Sequence, residues 1–539
     1  MRLRLLLAAT ACTLAARAPA ADLPPANTPV PQVIDKYIDA AIAEAEVTPA
    51  GQADDATLIR RLTLDLVGRI PTTAEVDEYV KSKDADKRAK LVDRLIASPA
   101  FARHQGALFE AMFNPEGTGR NNGALRAYLT DAVKANKPWD QVFREVVLPD
   151  QSDAKLKGAA EFLKARLADA DKLTNDVSVT FFGVNVSCAQ CHNHPHVADW
   201  TQDHFYGMKM FLARTFDNGG FVAERGSGVI KYKPTKGPER TAKMMFLTGT
   251  VVEEGSKEPP ADEQKKEKEV LDKAKGAKAA PPAPKFSARA KLVEVALADA
   301  NAEFFARNIV NRMWHRYFGT GLVNPLDQLH SENEPSHPDL LAWLARDVAA
   351  HGYDLRRLTR GLVMSNAYSR ASQYDSGSHP PARLFAVAKL KPMTPMQLAV
   401  SLKIAATDPA AFENKKPEDV EKAVEQMENA ARGFANLIAQ PTDNFQIGVG
   451  EALLFANGDR VMKDYLSDGG GTLLGRVKSV KDPKAAVELL VKTTYGRAPT
   501  ADEVQTLVGY VEKRKGREAE AYKHVLWALV TGTEFRFSY

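Results

Sequence analysis

Two cysteines and a histidine stand within five residues of one another in the first half of the chain. The segment from Cys188 to His192 reads Cys-Ala-Gln-Cys-His, and Cys12 is the only other cysteine among the 539 residues. A Cys-x-x-Cys-His motif is typical of c-type haem attachment, in which both thiols add to haem vinyl groups and the imidazole ligates the iron. The spacing therefore predicts a covalently bound haem c held by Cys188, Cys191 and His192.

Histidines are concentrated directly after this motif, where four of the eleven in the chain fall within thirteen residues. Thiolates and imidazoles also bind zinc or iron directly. The alternative to haem is therefore a metal site formed by His192, His194, His196 and His204 together with Cys188 and Cys191. A disulfide between the two cysteines is a third interpretation, because an oxidising compartment would permit it.

The first 21 residues have the features of a secretory signal peptide. Arg2 and Arg4 precede an apolar run from Leu5 to Ala16, and residues 18–20 offer small side chains for cleavage. The run is too short to span a membrane, which needs about twenty apolar residues. We therefore expect a periplasmic or secreted protein with no integral membrane span, which agrees with haem attachment outside the cytoplasm.

Charge and composition exclude several classes of protein. The net charge is +4, and the first 21 residues contribute three arginines and no acidic residue, which leaves +1 for the rest. Nucleic acid is therefore not expected as a partner. With 44% hydrophobic and 26% charged residues, the chain is expected to fold into globular domains. A redox partner protein is the partner that a haem protein suggests, while the substrate and the oligomeric state stay open.

Apolar residues recur at helical spacing in most of the chain, from Ile34 to about Ala213 and again after Ser287. The intervening stretch is rich in glycine and β-branched residues, with Val229–Tyr232 and Phe246–Val252 as the best strand candidates. We predict a mainly α protein in which a small β insert and a charged linker rich in Pro, Ala and Lys join two helical domains.

The predicted domain boundaries follow these changes in composition. Lys, Glu, Ala and Pro dominate the stretch after the β insert, and such a composition cannot bury enough apolar area to order the chain. The predicted division is a signal peptide (1–21), an N-terminal helical domain with the Cys-x-x-Cys-His motif (30–217), a β insert (218–252), a linker (253–286) and a C-terminal helical domain (287–539).

Capping signals mark several predicted helix starts. Thr72 and Thr500 each lie three residues before a glutamate and follow a Gly-Arg-x-Pro sequence, which predicts a capping box at both positions. Ser336 is predicted to cap a further helix, and Thr201 to start the one after the motif. The polar segment from His330 to His337 is interpreted as a solvated loop. Met208 and Met210 are expected to fill the core rather than to serve as a sixth iron ligand.

Several of these segments resemble a known family. Residues 58–68, 91–99 and 188–194 resemble the first of two paired domains of unknown function in large secreted planctomycete-type proteins, and residues 308–315, 318–323, 335–338 and 353–355 resemble the second. The resemblance implies export, and some members carry a separate fused cytochrome c domain; it implies no particular reaction. Members usually have an acidic residue where this chain has Asn193.

Together the residues and the resemblance predict an exported haem c protein with an electron-transfer or redox role and an unknown substrate. The alternative is a secreted zinc or iron protein that acts as a hydrolase or as a glycan- or protein-binding module. Whether the protein is an enzyme is left open.

Overall fold

The computed structural model describes residues 23–115, 122–195, 197–255, 258–441 and 447–539. The predicted signal peptide, with Cys12, and His196 lie outside the described residues. Helix accounts for 57% of the chain and strand for 5%, which confirms the mainly α prediction. None of the helices in the described ranges is long and apolar enough to cross a membrane.

The first part of the fold is a layered array of amphipathic helices that bury their apolar stripes against one another. In chain order these helices are α1 (Val30–Glu44), α2 (Asp55–Val67), α3 (Thr73–Lys81), α4 (Lys87–Ala97), α5 (Pro99–Phe113), α6 (Asn122–Lys134), α7 (Trp139–Val147), α8 (Glu161–Lys164), α9 (Ala170–Val177) and α10 (Gln202–Leu212).

The β insert consists of three antiparallel two-stranded hairpins, formed in chain order by β1 (Thr215–Asp217) and β2 (Val222–Glu224), β3 (Lys231–Tyr232) and β4 (Arg240–Thr241), and β5 (Met244–Met245) and β6 (Val251–Val252). The predicted single strand Phe246–Val252 is wrong. The chain reverses within it, because Gly249 adopts a left-handed φ of 80° and donates its N–H to the Phe246 carbonyl.

The remaining helices follow the insert. They are α11 (Ala261–Gly276), α12 (Ala288–Leu297), α13 (Ala302–Phe318), α14 (Pro338–Ala350), α15 (Leu355–Met364), α16 (Pro395–Ala406), α17 (Pro417–Ala435), α18 (Val449–Asn457), α19 (Leu473–Val477), α20 (Pro483–Tyr495), α21 (Ala501–Glu512), α22 (Glu518–Thr531) and α23 (Thr533–Arg536). A short antiparallel pair, β7 (Lys391–Pro392) and β8 (Phe537–Ser538), joins the middle of this half to its end.

The two predicted capping boxes are confirmed. Thr72 accepts from the Glu75 N–H and the Glu75 carboxylate accepts from the Thr72 N–H, and Thr500 and Glu503 form the same pair of bonds. The predicted cap at Ser336 is wrong. Helix α14 instead begins at Pro338, whose fixed φ suits the first helical position and whose missing N–H needs no cap.

Two hydrophobic cores organise the molecule. The first contains buried side chains from Val30 to Ala386, so α12 to α15, which follow the predicted linker, pack into the same core as α1 to α10. The second runs from Met393 to Phe535 and includes Leu64 of α2. Helix α11, within the predicted linker, has no buried residue. The division of the chain at 253–286 stays a prediction.

Two arginine side chains of α2 hydrogen-bond to main-chain carbonyls in the last part of the chain. The Arg60 guanidinium donates to the carbonyls of Thr494, at 3.2 Å, and Phe535, at 3.1 Å. Arg61 Nε donates to the Tyr539 carbonyl at 2.9 Å. Both arginines are buried, so these carbonyls take the place of water around the charged groups.

Candidate cofactor site

The Cys-x-x-Cys-His motif lies on a tight turn before α10. A single 3-10 turn, Ser187–Ala189, carries Cys188, and Gln190 continues it in a helical conformation. Cys188 and Cys191 are exposed and are not joined in a disulfide, and His192 is exposed as well. The buried side chain of Ala189 anchors the turn to the first core. The two thiols and the imidazole of the motif are therefore all accessible from the surface.

The imidazole of His192 has a defined tautomer. Its Nδ1 lies 2.7 Å from the main-chain carbonyl oxygen of Asn193. A carbonyl can only accept a hydrogen bond, so Nδ1 carries the proton and Nε2 of the neutral ring is free of one. An imidazole with Nδ1–H donated to a carbonyl is in the form that ligates a metal through Nε2.

Gln202, at the start of α10, hydrogen-bonds to the backbone of the motif. This side chain is 5% exposed, and its Nε2 donates to the Gln190 carbonyl at 3.2 Å. Its Oε1 accepts from the Thr235 N–H at 3.1 Å, and Thr235 Oγ1 donates to the Cys191 carbonyl at 3.3 Å. The loop between β3 and β4 is thereby attached to the motif.

Asn193 supplies a hydrogen-bond acceptor at the N-terminus of α10. Its Oδ1 accepts from the Gln202 N–H at 3.0 Å, which satisfies one of the free donors at the helix start. An acidic side chain at this position would offer a carboxylate oxygen to the same N–H. Asn193 meets the same hydrogen-bonding requirement with its amide oxygen.

The other described histidines of the cluster, His194 and His204, hydrogen-bond to nearby main-chain groups. His194 Nδ1 accepts from the Val197 N–H at 3.0 Å, and the His194 N–H donates to the Trp200 carbonyl at 2.8 Å. His204 Nδ1 accepts from the Thr201 N–H at 3.3 Å and lies 2.9 Å from Thr201 Oγ1, and α10 begins directly after Thr201, which confirms the predicted helix start. Burial lowers the pKa of His204, which favours the neutral ring.

The geometry does not bring these side chains together as a metal site. In the described ranges, no group of three or more His, Cys, Asp or Glu side chains is placed to hold a metal ion. Asp199 instead accepts hydrogen bonds from Ser331, and Asp203 pairs with Tyr232 and Arg240. The two exposed thiols and the exposed imidazole of the motif have the residue types and the spacing that haem attachment uses.

Two further sequence expectations can be compared with the structure. Met208 is 0% and Met210 2% exposed, and both belong to the first core, as expected of core residues. The interpretation of the segment from His330 to His337 as a solvated loop is wrong for His337, which is 6% exposed and packs against Phe385. Burial, assisted by the nearby charge of Arg383, lowers the pKa of His337 to about 4.

Sequence reasoning missed the residues that position the motif. Gln202 and Thr235 carry no distinctive signal, because a glutamine in the first turn of a helix and a threonine in a polar loop are ordinarily exposed. Gly183, shortly before the motif, does carry one: a glycine after an apolar run indicates a left-handed conformation or a close backbone approach.

Family comparisons agree with the resemblance noted in the sequence. Residues 33–217 match the model described as PSCyt2, a protein of unknown function (DUF1549), and residues 288–444 match PSD1, a protein of unknown function (DUF1553). The motif lies within the first matched region. No curated protein and no solved structure matches the chain. The chain is thus a protein built on the planctomycete-type domain pair PSCyt2 and PSD1.

Proposed function

We propose that this chain is an exported haem c protein with an electron-transfer or redox role. Cys188 and Cys191 would hold the haem through thioether bonds, and His192 would ligate the iron. The bound haem supplies one-electron redox chemistry. The observation that carries the proposal is the succession of two exposed, unpaired thiols and an exposed imidazole whose Nδ1–H is donated to the Asn193 carbonyl.

The protein's own residues have two tasks in this proposal. The Asn193 carbonyl orients the His192 ring and raises the basicity of its Nε2, which strengthens ligation. The Gln202 side chain fixes the backbone at Gln190, and the Gln202 N–H holds the Asn193 side chain. These two bonds would preserve the spacing between the thiols and the imidazole when the cofactor binds. The association of the PSCyt2 family with planctomycete cytochrome c proteins supports the same cofactor.

Exposure of the motif is suited to exchange of electrons with a second protein. Weak redox complexes use small interfaces, so a redox centre near the surface can serve a transient partner. We therefore include a redox partner protein in the proposal and leave the substrate unnamed.

The test is covalent attachment. The full chain is produced in a host that matures a control cytochrome, and its intact mass is measured after denaturation, because thioether bonds survive unfolding. We expect a haem adduct and a reduced-minus-oxidised spectrum of c type. A variant with Cys188→Ser and Cys191→Ser is the matched control and should yield the bare chain. Bare wild-type chain alongside a matured control cytochrome would refute the proposal.

Export is tested on the same material. Cleavage of the predicted signal peptide near Ala20 or Ala21 would give a mature chain that begins at residue 21 or 22. N-terminal sequencing of protein recovered outside the cytoplasm should find this start. An intact N-terminus in protein retained in the cytoplasm would contradict export.

A further inference from the structure

The backbone just before the motif pairs with a loop of the PSD1 region. The two segments form an antiparallel bridge, in which the Asn185 N–H donates to the Asp327 carbonyl at 2.9 Å. The Leu329 N–H donates to the Gly183 carbonyl at 3.0 Å. The loop 327–331 thus adds a strand-like partner to a segment of the PSCyt2 region.

Gly183 permits this close approach. Its φ is +68°, and a Cβ at this position would lie 2.5 Å from Leu329 Cδ1 and 2.8 Å from Asn308 Oδ1. Asn308 is fully buried on α13 and donates to the Thr180 carbonyl at 2.8 Å. The PSD1 region is therefore packed against the chain five residues before Cys188.

The Asn185 side chain hydrogen-bonds both to this loop and to the turn that carries the motif. Its Nδ2 donates to Asp327 Oδ2 at 3.2 Å, while its Oδ1 accepts from both the N–H and the Oγ–H of Ser187. Ser187 directly precedes Cys188 and belongs to the same 3-10 turn. The carboxamide of Asn185 therefore links the PSD1 loop to the turn that carries the first thiol.

Asp199 attaches the other end of the segment to the same loop. One carboxylate oxygen accepts from the Ser331 N–H and the other from the Ser331 Oγ–H, both at 2.9 Å. Asp199 precedes Trp200, whose carbonyl accepts from the His194 N–H. The loop 327–331 therefore contacts the motif segment on both sides of its thiols and imidazole.

We propose that the loop 327–331 of the PSD1 region is a part of the cofactor site of the PSCyt2 region, with Asn185 and Asp199 as positioning residues. The proposal rests on the proposed haem function. A segment held at both ends has fewer conformations than one held at a single end, so its ligating groups are better preorganised. Neither matched region then forms the site alone, which gives a physical reason for their occurrence in one chain.

The first experiment needs no cofactor. Amide hydrogen exchange of residues 186–195 is measured in the full-length apo protein, with the alkylation rates of Cys188 and Cys191. We expect Asp199→Ala to raise exchange in this segment at least tenfold and to change both alkylation rates, because one end of the segment is released. Asp354→Ala is the matched control, since the Asp354 carboxylate also accepts two hydrogen bonds, in its case from the main-chain N–H groups of Arg356 and Arg357 at the start of α15.

The second experiment uses the haem-loaded protein. Asp199→Ala should shift the midpoint potential and the axial-ligand absorption band, Asp199→Asn should restore part of the wild-type behaviour, and Asp354→Ala should change neither property. A variant with Ser331→Ala, which loses one hydrogen bond, replaces Asp199→Ala if that protein does not fold.

The outcomes separate the two proposals. Unchanged exchange in Asp199→Ala, or an increase equal to that in Asp354→Ala, would overturn the role of the loop. A selective increase in exchange, in a wild-type chain that never acquires haem, would support the loop contact and refute the haem proposal. Haem that binds with unchanged potential and spectrum in Asp199→Ala would overturn the positioning role.

Discussion

Lys391 Nζ lies 2.5 Å from Asp65 Oδ2 in a position where both side chains are largely shielded from solvent. Asp65 belongs to α2 in the PSCyt2 region and Lys391 to β7 in the PSD1 region. Asp65 also accepts from the buried Tyr368 hydroxyl at 2.8 Å. Burial lowers the pKa of Lys391, and the attraction of Asp65 opposes that effect. The buried ion pair therefore links the PSCyt2 region directly to the PSD1 region.

Removing one member of this ion pair should lower the free energy of unfolding. Lys391→Met leaves the Asp65 carboxylate buried without its counter-charge, so we expect the free energy of unfolding to fall by about 3–5 kcal/mol in urea titrations. Asp65→Asn should cost much less in the Lys391→Met background than in the wild type, because no buried charge then remains unpaired. Additive effects of the two substitutions would contradict a coupled pair.

Acid should weaken the protein through Glu75. Burial by itself would raise the pKa of this carboxyl, but the Arg69 guanidinium at 2.7 Å and the hydrogen bonds at Thr72 outweigh burial and lower the pKa to about 2. A depressed pKa in the folded state means that the stabilisation is present above pH 4.5 and is lost as the pH falls towards 2. Glu75→Gln should therefore cost about 3 kcal/mol at pH 7 and little below pH 2.

The equivalent carboxyl in the second capping box is the control for this effect. The hydrogen bond from Arg497 lowers the pKa of Glu503 to about 2, but this side chain is 29% exposed. Solvent screens the pair, so Glu503→Gln should show the same dependence on pH with a smaller amplitude. Unfolding free energies measured from pH 7 to pH 2 for both variants would reveal the difference. Equal costs at all pH values would contradict the assigned pKa shifts.

Limited proteolysis should cut the predicted linker without separating the products. Helix α11 buries no side chain and carries several lysines, so trypsin should cleave within residues 261–285 first. Leu292 and Ile309, which follow the linker, are fully buried in the same core as Ile34. We expect two fragments in a denaturing gel and one species in gel filtration. Fragments that elute separately under native conditions would show that the shared core does not hold them together, and would contradict the prediction.

Replacement of His194 distinguishes haem attachment from direct metal ligation. A four-ligand zinc or iron site would need His194, whereas the haem proposal uses only His192. We expect His194→Ala to keep the covalent haem and to lose some stability, because the hydrogen bond from the Val197 N–H is lost. His192→Ala should keep a tethered haem with a changed axial-ligand spectrum. Stoichiometric zinc in the wild type that disappears in His194→Ala would favour the metal site.

Local signals explain what could be predicted from the sequence. The capping boxes at Thr72 and Thr500 depend on residues three positions apart, and the helical periodicity depends on neighbours along one face, so both could be read without the fold. The same holds for the motif at Cys188, because its chemistry lies within five residues.

Contacts between distant segments could not be predicted in this way. The hydrogen bonds from Ser331 to Asp199 join residues 132 positions apart, and Gln202 reaches Thr235 in a hairpin loop. Neither pairing leaves a periodic or compositional trace in the sequence. The strand prediction at Phe246–Val252 was wrong because β-branched residues on both sides of Gly249 have the same propensity whether the chain continues or reverses.

The carbonyls that surround the two arginines of α2 constrain the order in which the protein can fold. The contact of Arg60 with Phe535 spans 475 positions, and that of Arg61 with Tyr539 spans 478. A ribosome that adds about 5–20 residues per second needs roughly 25 to 95 seconds to make this length of chain. During that time α2 lacks its final acceptors and cannot settle into the native arrangement. The buried guanidinium group of Arg61 can therefore acquire its full set of protein acceptors only after residue 539 has been synthesised.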